Sequence, residues 1–166
     1  MSNLYRFVGF AAVLLASFAV NAAENAGDIQ VSGGWIRATA PGQDQGGADL
    51  TIVSKQAATL VGASSPVCKV VQLHSMTNEG GMMKMREVKV IELPAGKRVN
   101  LRESGYHLML IGLKAPLKEG ESVPLTLSIK VGAQQVVKIK AVAEVGSLNS
   151  TGDEDHGDMH MNMKMQ

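Results

Sequence analysis

The chain has 166 residues, 45% of them hydrophobic and only 4% aromatic, with 16 Lys and Arg against 15 Asp and Glu. A formal net charge of +1 excludes an electrostatic grip on nucleic acid or on an anionic membrane surface as its organising function. The single cysteine, Cys68, excludes an internal disulfide, a dithiol redox pair and a cysteine-rich zinc site.

In chain order, Arg6 precedes an apolar run from Phe7 to Val20, which is followed by Asn21, Ala22 and Ala23. That run is short for a spanning helix and reads as a secretory signal peptide over residues 1–22, with cleavage after Ala22. The remainder is sized for one domain with a single core, and no membrane contact is expected after cleavage. Apolar runs rich in Val, Ile, Leu and Thr then alternate with Gly and Pro, at 34–38, 50–54, 67–76, 83–93, 98–101, 107–113, 122–131 and 135–145. This pattern predicts an all-β, antiparallel sandwich or barrel without a convincing helix.

Turn chemistry marks two corners, Asn78-Glu79-Gly80-Gly81 and Pro94-Ala95-Gly96-Lys97, where Gly supplies positive φ. In the last two runs Val123, Leu125, Leu127 and Ile129, then Val137, Ile139 and Ala141, alternate with mostly polar neighbours. Each strand is therefore expected to have one buried and one wet face. From Ser147 the composition turns polar and loses apolar periodicity, so residues 23–146 form the domain and 147–166 a disordered His/Met-rich tail.

All four histidines and every methionine except the initiator fall into clusters: His74 and Met76; Met82, Met83 and Met85; His107 and Met109; and a tail with His156, Met159, His160, Met161, Met163 and Met165. Thioether sulfur suits Cu(I), and imidazole accepts copper in either oxidation state, whereas zinc and iron sites usually add thiolate or carboxylate. Side chains at i and i+2 share a strand face, so His74 with Met76, and His107 with Met109, each present an imidazole beside a thioether. Three strand ends meeting at one rim would complete such a site. Met82 and Met83 are expected to pack or to exclude water beside it. Cys68, on the strand leading to His74, is expected to be a small buried hydrophobe. The tail adds Asp153, Glu154, Asp155 and Asp158, so it can take Cu(II) as well as Cu(I).

His74, ten residues, Met85, twenty-one residues and then His107-x-Met109 resembles the spacing of the PCuAC family of periplasmic copper chaperones. The stretches GMMKMREV at 81–88, LPAGKRVNL at 93–101 and GYHLMLIGLKAPLKEGESVPLTL at 105–127 are similar to that family's most characteristic text. Weaker similarity runs from Trp35 to about Val145. The resemblance implies a cupredoxin-like, Greek-key β-sandwich and Cu(I) ligands His74, Met85, His107 and Met109, with Met76 as an additional or alternate ligand. It implies a monomer in the periplasm that delivers copper to a recipient such as the CuA centre of cytochrome c oxidase or its assembly factors. Asp49 replaces the family's usual aromatic and Glu103-Ser104-Gly105 its usual Pro-Gly-Gly, and both departures are expected to bear on local packing, away from the ligands.

Other functions fit less well. A blue-copper electron carrier needs a Cys ligand with two His nearby, and Cys68 lacks that spacing. No Gly-x-Ser-x-Gly or phosphate loop marks an enzyme. The competing expectation is a copper-sequestering protein that buffers the metal without a dedicated recipient, since it would use the same ligands.

Overall fold

The computed structural model describes residues 28–133 and 135–149; the expected signal peptide and the expected metal ligands of the tail lie outside them. Ten strands follow in order: β1 (Ile29–Arg37), β2 (Gln45–Ser54), β3 (Ala58–Ser64), β4 (Val70–Glu79), β5 (Met82–Val88), β6 (Ile91–Leu93), β7 (Arg98–Asn100), β8 (Tyr106–Ile111), β9 (Ser122–Val131) and β10 (Gln135–Gly146). They hydrogen-bond in the order β5-β4-β8-β2-β1-β10-β9-β3-β6, with β7 on β2. A further pairing of β3 with β4, at Ala63 opposite Val71, closes the sheet on itself. The result is the expected β-sandwich, with β5 as an uncovered edge.

Period-two patterning builds the interior. Val123, Leu125, Leu127 and Ile129 of β9 are all buried, as are Val137, Ala143 and Val145 of β10. Leu108 and Leu110 of β8, Leu73 of β4 and Ala48, Leu50 and Ile52 of β2 fill the opposite side of the core. Each of these residues sends its chain neighbours to the outer face, and this is how the strands carrying His and Met come to display them.

The Asn78-to-Gly81 corner is a two-residue hairpin joining β4 to β5: Glu79 pairs with Met82, and Gly80 and Gly81 take φ of 63° and 85°. Two consecutive positive φ values match the right-handed twist of the flanking strands. The Asn78 carboxamide accepts from the Gly81 N–H at 3.0 Å. The corner at Pro94 is different in kind, because β6 pairs with β3 while β7 pairs with β2; it carries the chain across the fold.

Three expectations are corrected. The strand expected at 67–76 begins only at Val70, so Cys68 lies in a bend before β4 and not on the strand that carries His74. The run at 83–93 is two strands, split at Lys89-Val90, because β5 pairs with β4 and β6 with β3. Strand β3, rich in small residues, carries no strong sequence signal. No described helix is long and apolar enough to cross a membrane.

Gly34 sits in the irregular part of β1, where its register against β2 shifts between Ser32 and Trp35. A Cβ there would lie 2.2 Å from the Val142 carbonyl oxygen and 2.9 Å from the Ala143 Cα. Both are backbone atoms that cannot step aside. Gly34→Ala is therefore expected to pry β1 from β10 and to lower the unfolding midpoint by more than a surface substitution does, as thermal denaturation would show.

Candidate metal centre

Strand pairing sets the site. In the β5-β4-β8 ladder His74 stands opposite His107 and Met76 opposite Met85, and directly opposed residues share a face. Met109, two residues on from His107, is opposite Gln72, and Gly47 of β2 is opposite Met109. Leu73, Leu108 and Leu110, which alternate with these residues, point into the core. The histidines and methionines accordingly occupy the outer face of adjacent strands. The expected meeting of strand ends at a rim does not occur.

The contacts centre on His107. Its Nδ1 lies 2.7 Å from the Asp49 Oδ1, and its Nε2 lies 3.1 Å from the Met76 Sδ. Asp49 also accepts from the Arg102 Nε at 3.2 Å, and the Arg102 guanidinium stands 5.0 Å over the Trp35 ring, a cation–π distance. His74 is held differently: its Nε2 meets the Gln72 Oε1 at 3.0 Å, and the Gln72 amide donates to Glu87 at 3.3 Å. The other ring nitrogen, His74 Nδ1, is buried and has no hydrogen-bond partner among the described residues. A buried polar atom of this kind calls for a ligand or a specific role.

Two sequence expectations change here. Asp49 was expected to touch packing only, yet it holds an imidazole; the β2–β8 register, with Ala48 opposite Leu108, places it within reach of His107. The Glu103-Ser104-Gly105 segment also reaches the site, because the Met76 N–H donates to the Gly105 carbonyl at 2.7 Å. Gly105 adopts φ of 73°, a conformation natural only to glycine. Met76, expected as an additional or alternate ligand, brings its thioether to 3.1 Å from an imidazole nitrogen.

Met85 and Met109 join the same face by register. A Cβ on Gly47 would lie 3.9 Å from the Met109 Sδ, so the glycine leaves open the outer surface beside that sulfur. Met82, Met83 and Met85 are 64%, 59% and 45% exposed on the edge strand. Of the two roles expected of Met82 and Met83, packing is therefore not the one they take. Asp49 and Gln72, the residues that orient the imidazoles, were missed by sequence reasoning; the available signal was a polar residue at a half-buried strand position in each case.

Among the described residues no three His, Cys, Asp or Glu side chains form a metal-binding group. The donors in contact are the His107 imidazole and the Met76 thioether. Cys68 is buried, as expected, with its Sγ 3.8 Å from the Ser65 carbonyl. Burial pushes its thiol pKa up, so the folded chain holds the proton more tightly than the unfolded one. The linked stability is present below the ordinary thiol range and is lost as pH rises through the raised value. Alkylation by iodoacetamide, read by mass, is expected to be slow in the native chain and complete in urea.

The fold and the sequence both place the chain among known proteins. A family model described as "Putative lipoprotein LpqE-like" matches residues 29–141. "Putative lipoprotein Lxx21020" of Leifsonia xyli subsp. xyli is 33% identical over 129 residues, covering 77% of this chain and 78% of that protein. The solution structure of CuI-DR1885 from Deinococcus radiodurans aligns with TM-score 0.51 and 32% identity, over 75% of this chain and 85% of that one. Its apo form covers 88% of this chain and 97% of its own, at 29% identity and TM-score 0.53. The copper-bound PCuAC domain from PmoF2 aligns with TM-score 0.58 at 20% identity, over 72% of this chain and 93% of that one, a likeness of fold alone. The chain belongs to the LpqE-like family, a PCuAC-like family of β-sandwich domains.

Proposed function

We propose that this protein is a periplasmic copper chaperone that carries Cu(I) on the outer face of β4, β5 and β8 and passes it to a recipient such as the CuA centre of cytochrome c oxidase. The proposed ligands are His74, Met85, His107 and Met109, joined by Met76. The observation that carries the reading is the contact of the His107 Nε2 with the Met76 Sδ, 3.1 Å apart, in the strand pair where His74 stands opposite His107 and keeps a buried Nδ1 without a partner among the described residues. At the bond lengths of a tetrahedral zinc site, about 2.0 Å to nitrogen and about 2.3 Å to sulfur, the two donors would stand only a few tenths of an ångström farther apart. A relative supplies further support, since the related structure from Deinococcus radiodurans is described as containing CuI. Copper here is cargo.

The donor set suits transport through an oxidising compartment. Methionine binds the soft ion without forming disulfides, and its sulfur does not titrate near neutral pH. Met85 on the open edge strand is half exposed, so an incoming thiolate can displace one thioether at a time. Exchange of this kind releases copper to a site with softer or more numerous ligands. The tail residues His156, Met159, His160, Met161, Met163 and Met165 would gather further copper in either oxidation state.

The test is transfer. The Cu(I)-loaded chain is mixed with an apo, reduced CuA domain, and the purple CuA absorption is followed after mild oxidation. The chaperone reading expects stoichiometric appearance of that band; a chain that retains its copper against excess recipient would instead be a sequestering protein.

A further inference from the structure

The two imidazoles are held by different means, and the difference lies outside the ligands themselves. The geometry points to Asp49 as a positioning residue that fixes His107 with Nδ1 protonated and Nε2 turned toward Met76. Gln72 fixes His74 in the opposite sense and leaves its Nδ1 as the donor. We infer, building on the copper reading above, that the ion is taken by Nε2 of one histidine and Nδ1 of the other.

An ionised carboxylate only accepts hydrogen bonds, so the nitrogen it meets must carry the proton and the other nitrogen of a neutral ring must carry the lone pair. At 2.7 Å the Asp49 contact has the length of a charge-assisted bond. The two side chains are shielded, with 13% of Asp49 and 18% of His107 exposed, so water competes weakly for either.

The carboxylate is itself braced. Its second oxygen takes the Arg102 Nε at 3.2 Å, and Arg102 stands over Trp35, the β1 residue paired with Asp49. His74 instead leans on an amide of its own strand, two residues away. The Gln72 oxygen accepts, which puts the proton on the His74 Nε2 and frees the buried Nδ1. Outer partners of this type set which nitrogen faces a metal and how basic it is.

The experiment reads the ring nitrogens of the apo full-length chain by two-bond 1H–15N correlation, above the range in which imidazoles protonate. His74→Ala and His107→Ala assign the signals. Cu(I) affinity is then measured by chelator competition. The expected spectrum shows His107 protonated at Nδ1 and His74 at Nε2. Asp49→Leu is expected to send His107 to the Nε2-protonated form and to weaken Cu(I) binding by roughly 10–100-fold. Asp49→Asn, whose carboxamide oxygen still accepts, is expected to keep the Nδ1-protonated form and most of the affinity.

Finding His107 protonated at Nε2 in the wild-type chain would overturn the assignment, whether or not the Leu variant folds. Equal Cu(I) affinity in wild type and Asp49→Leu would overturn the positioning role while leaving the copper reading intact. A wild-type chain that binds no Cu(I) would overturn both.

Discussion

His107→Ala is expected to weaken Cu(I) binding by more than about 100-fold, the upper end of what loss of a mere outer partner costs a metal site. The change removes the ring that joins Asp49 to Met76, and with it a nitrogen donor at the centre of the proposed set. The domain should stay folded. The side chain lies on the outer face, and Asp49 keeps its bond to Arg102, so the loss is about one charge-assisted hydrogen bond, roughly 1.5–3 kcal/mol. Calorimetry of the apo variant alongside chelator competition separates the two quantities. An apo variant that is unfolded, or one that binds as wild type does, would contradict the placement of His107 on a preformed outer surface.

Leu108→Ala should behave in the opposite way. Leu108 is the next residue along β8, but it is fully buried in the core, paired in register with Leu73 and Ala48. Truncating a buried leucine costs about 2–5 kcal/mol, a large share of the roughly 5–15 kcal/mol that holds a domain folded. The expected result is a sharply lower urea midpoint with near-normal Cu(I) affinity in the fraction that remains folded. Neighbouring residues would thus report separately on fold and site. Loss of copper binding at an unchanged midpoint would mean that the strand faces the other way.

What the sequence reveals about this protein follows the range of each interaction. The β4–β5 hairpin was legible from Gly80-Gly81, and the paired faces of β9 and β10 from strict alternation, because both signals are local. His74 with Met76, and His107 with Met109, could be assigned to shared faces by the same period of two. Strand β3 escaped notice because Ala58, Gly62, Ala63 and Ser64 give little strand signal, and its pairings with β9 and β6 are what make it a strand. The continuous apolar text from Met83 to Leu93 hid a change of partner. The bond between Asp49 and His107 spans 58 positions and depends on β2 lying beside β8, which no local pattern states. For that reason a departure expected to matter only for packing proved to touch the site.

Copper on the outer face of β4 and β8 is the central claim. The measurement is Cu(I) titration of the mature chain against a chromophoric Cu(I) chelator, in wild type and in the doubly substituted His74→Ala/His107→Ala chain. Copper held by the tail would appear in both. The account predicts one tight equivalent in the wild type that is missing from the double variant. An identical number of tight equivalents in the two chains would contradict it and place the copper elsewhere.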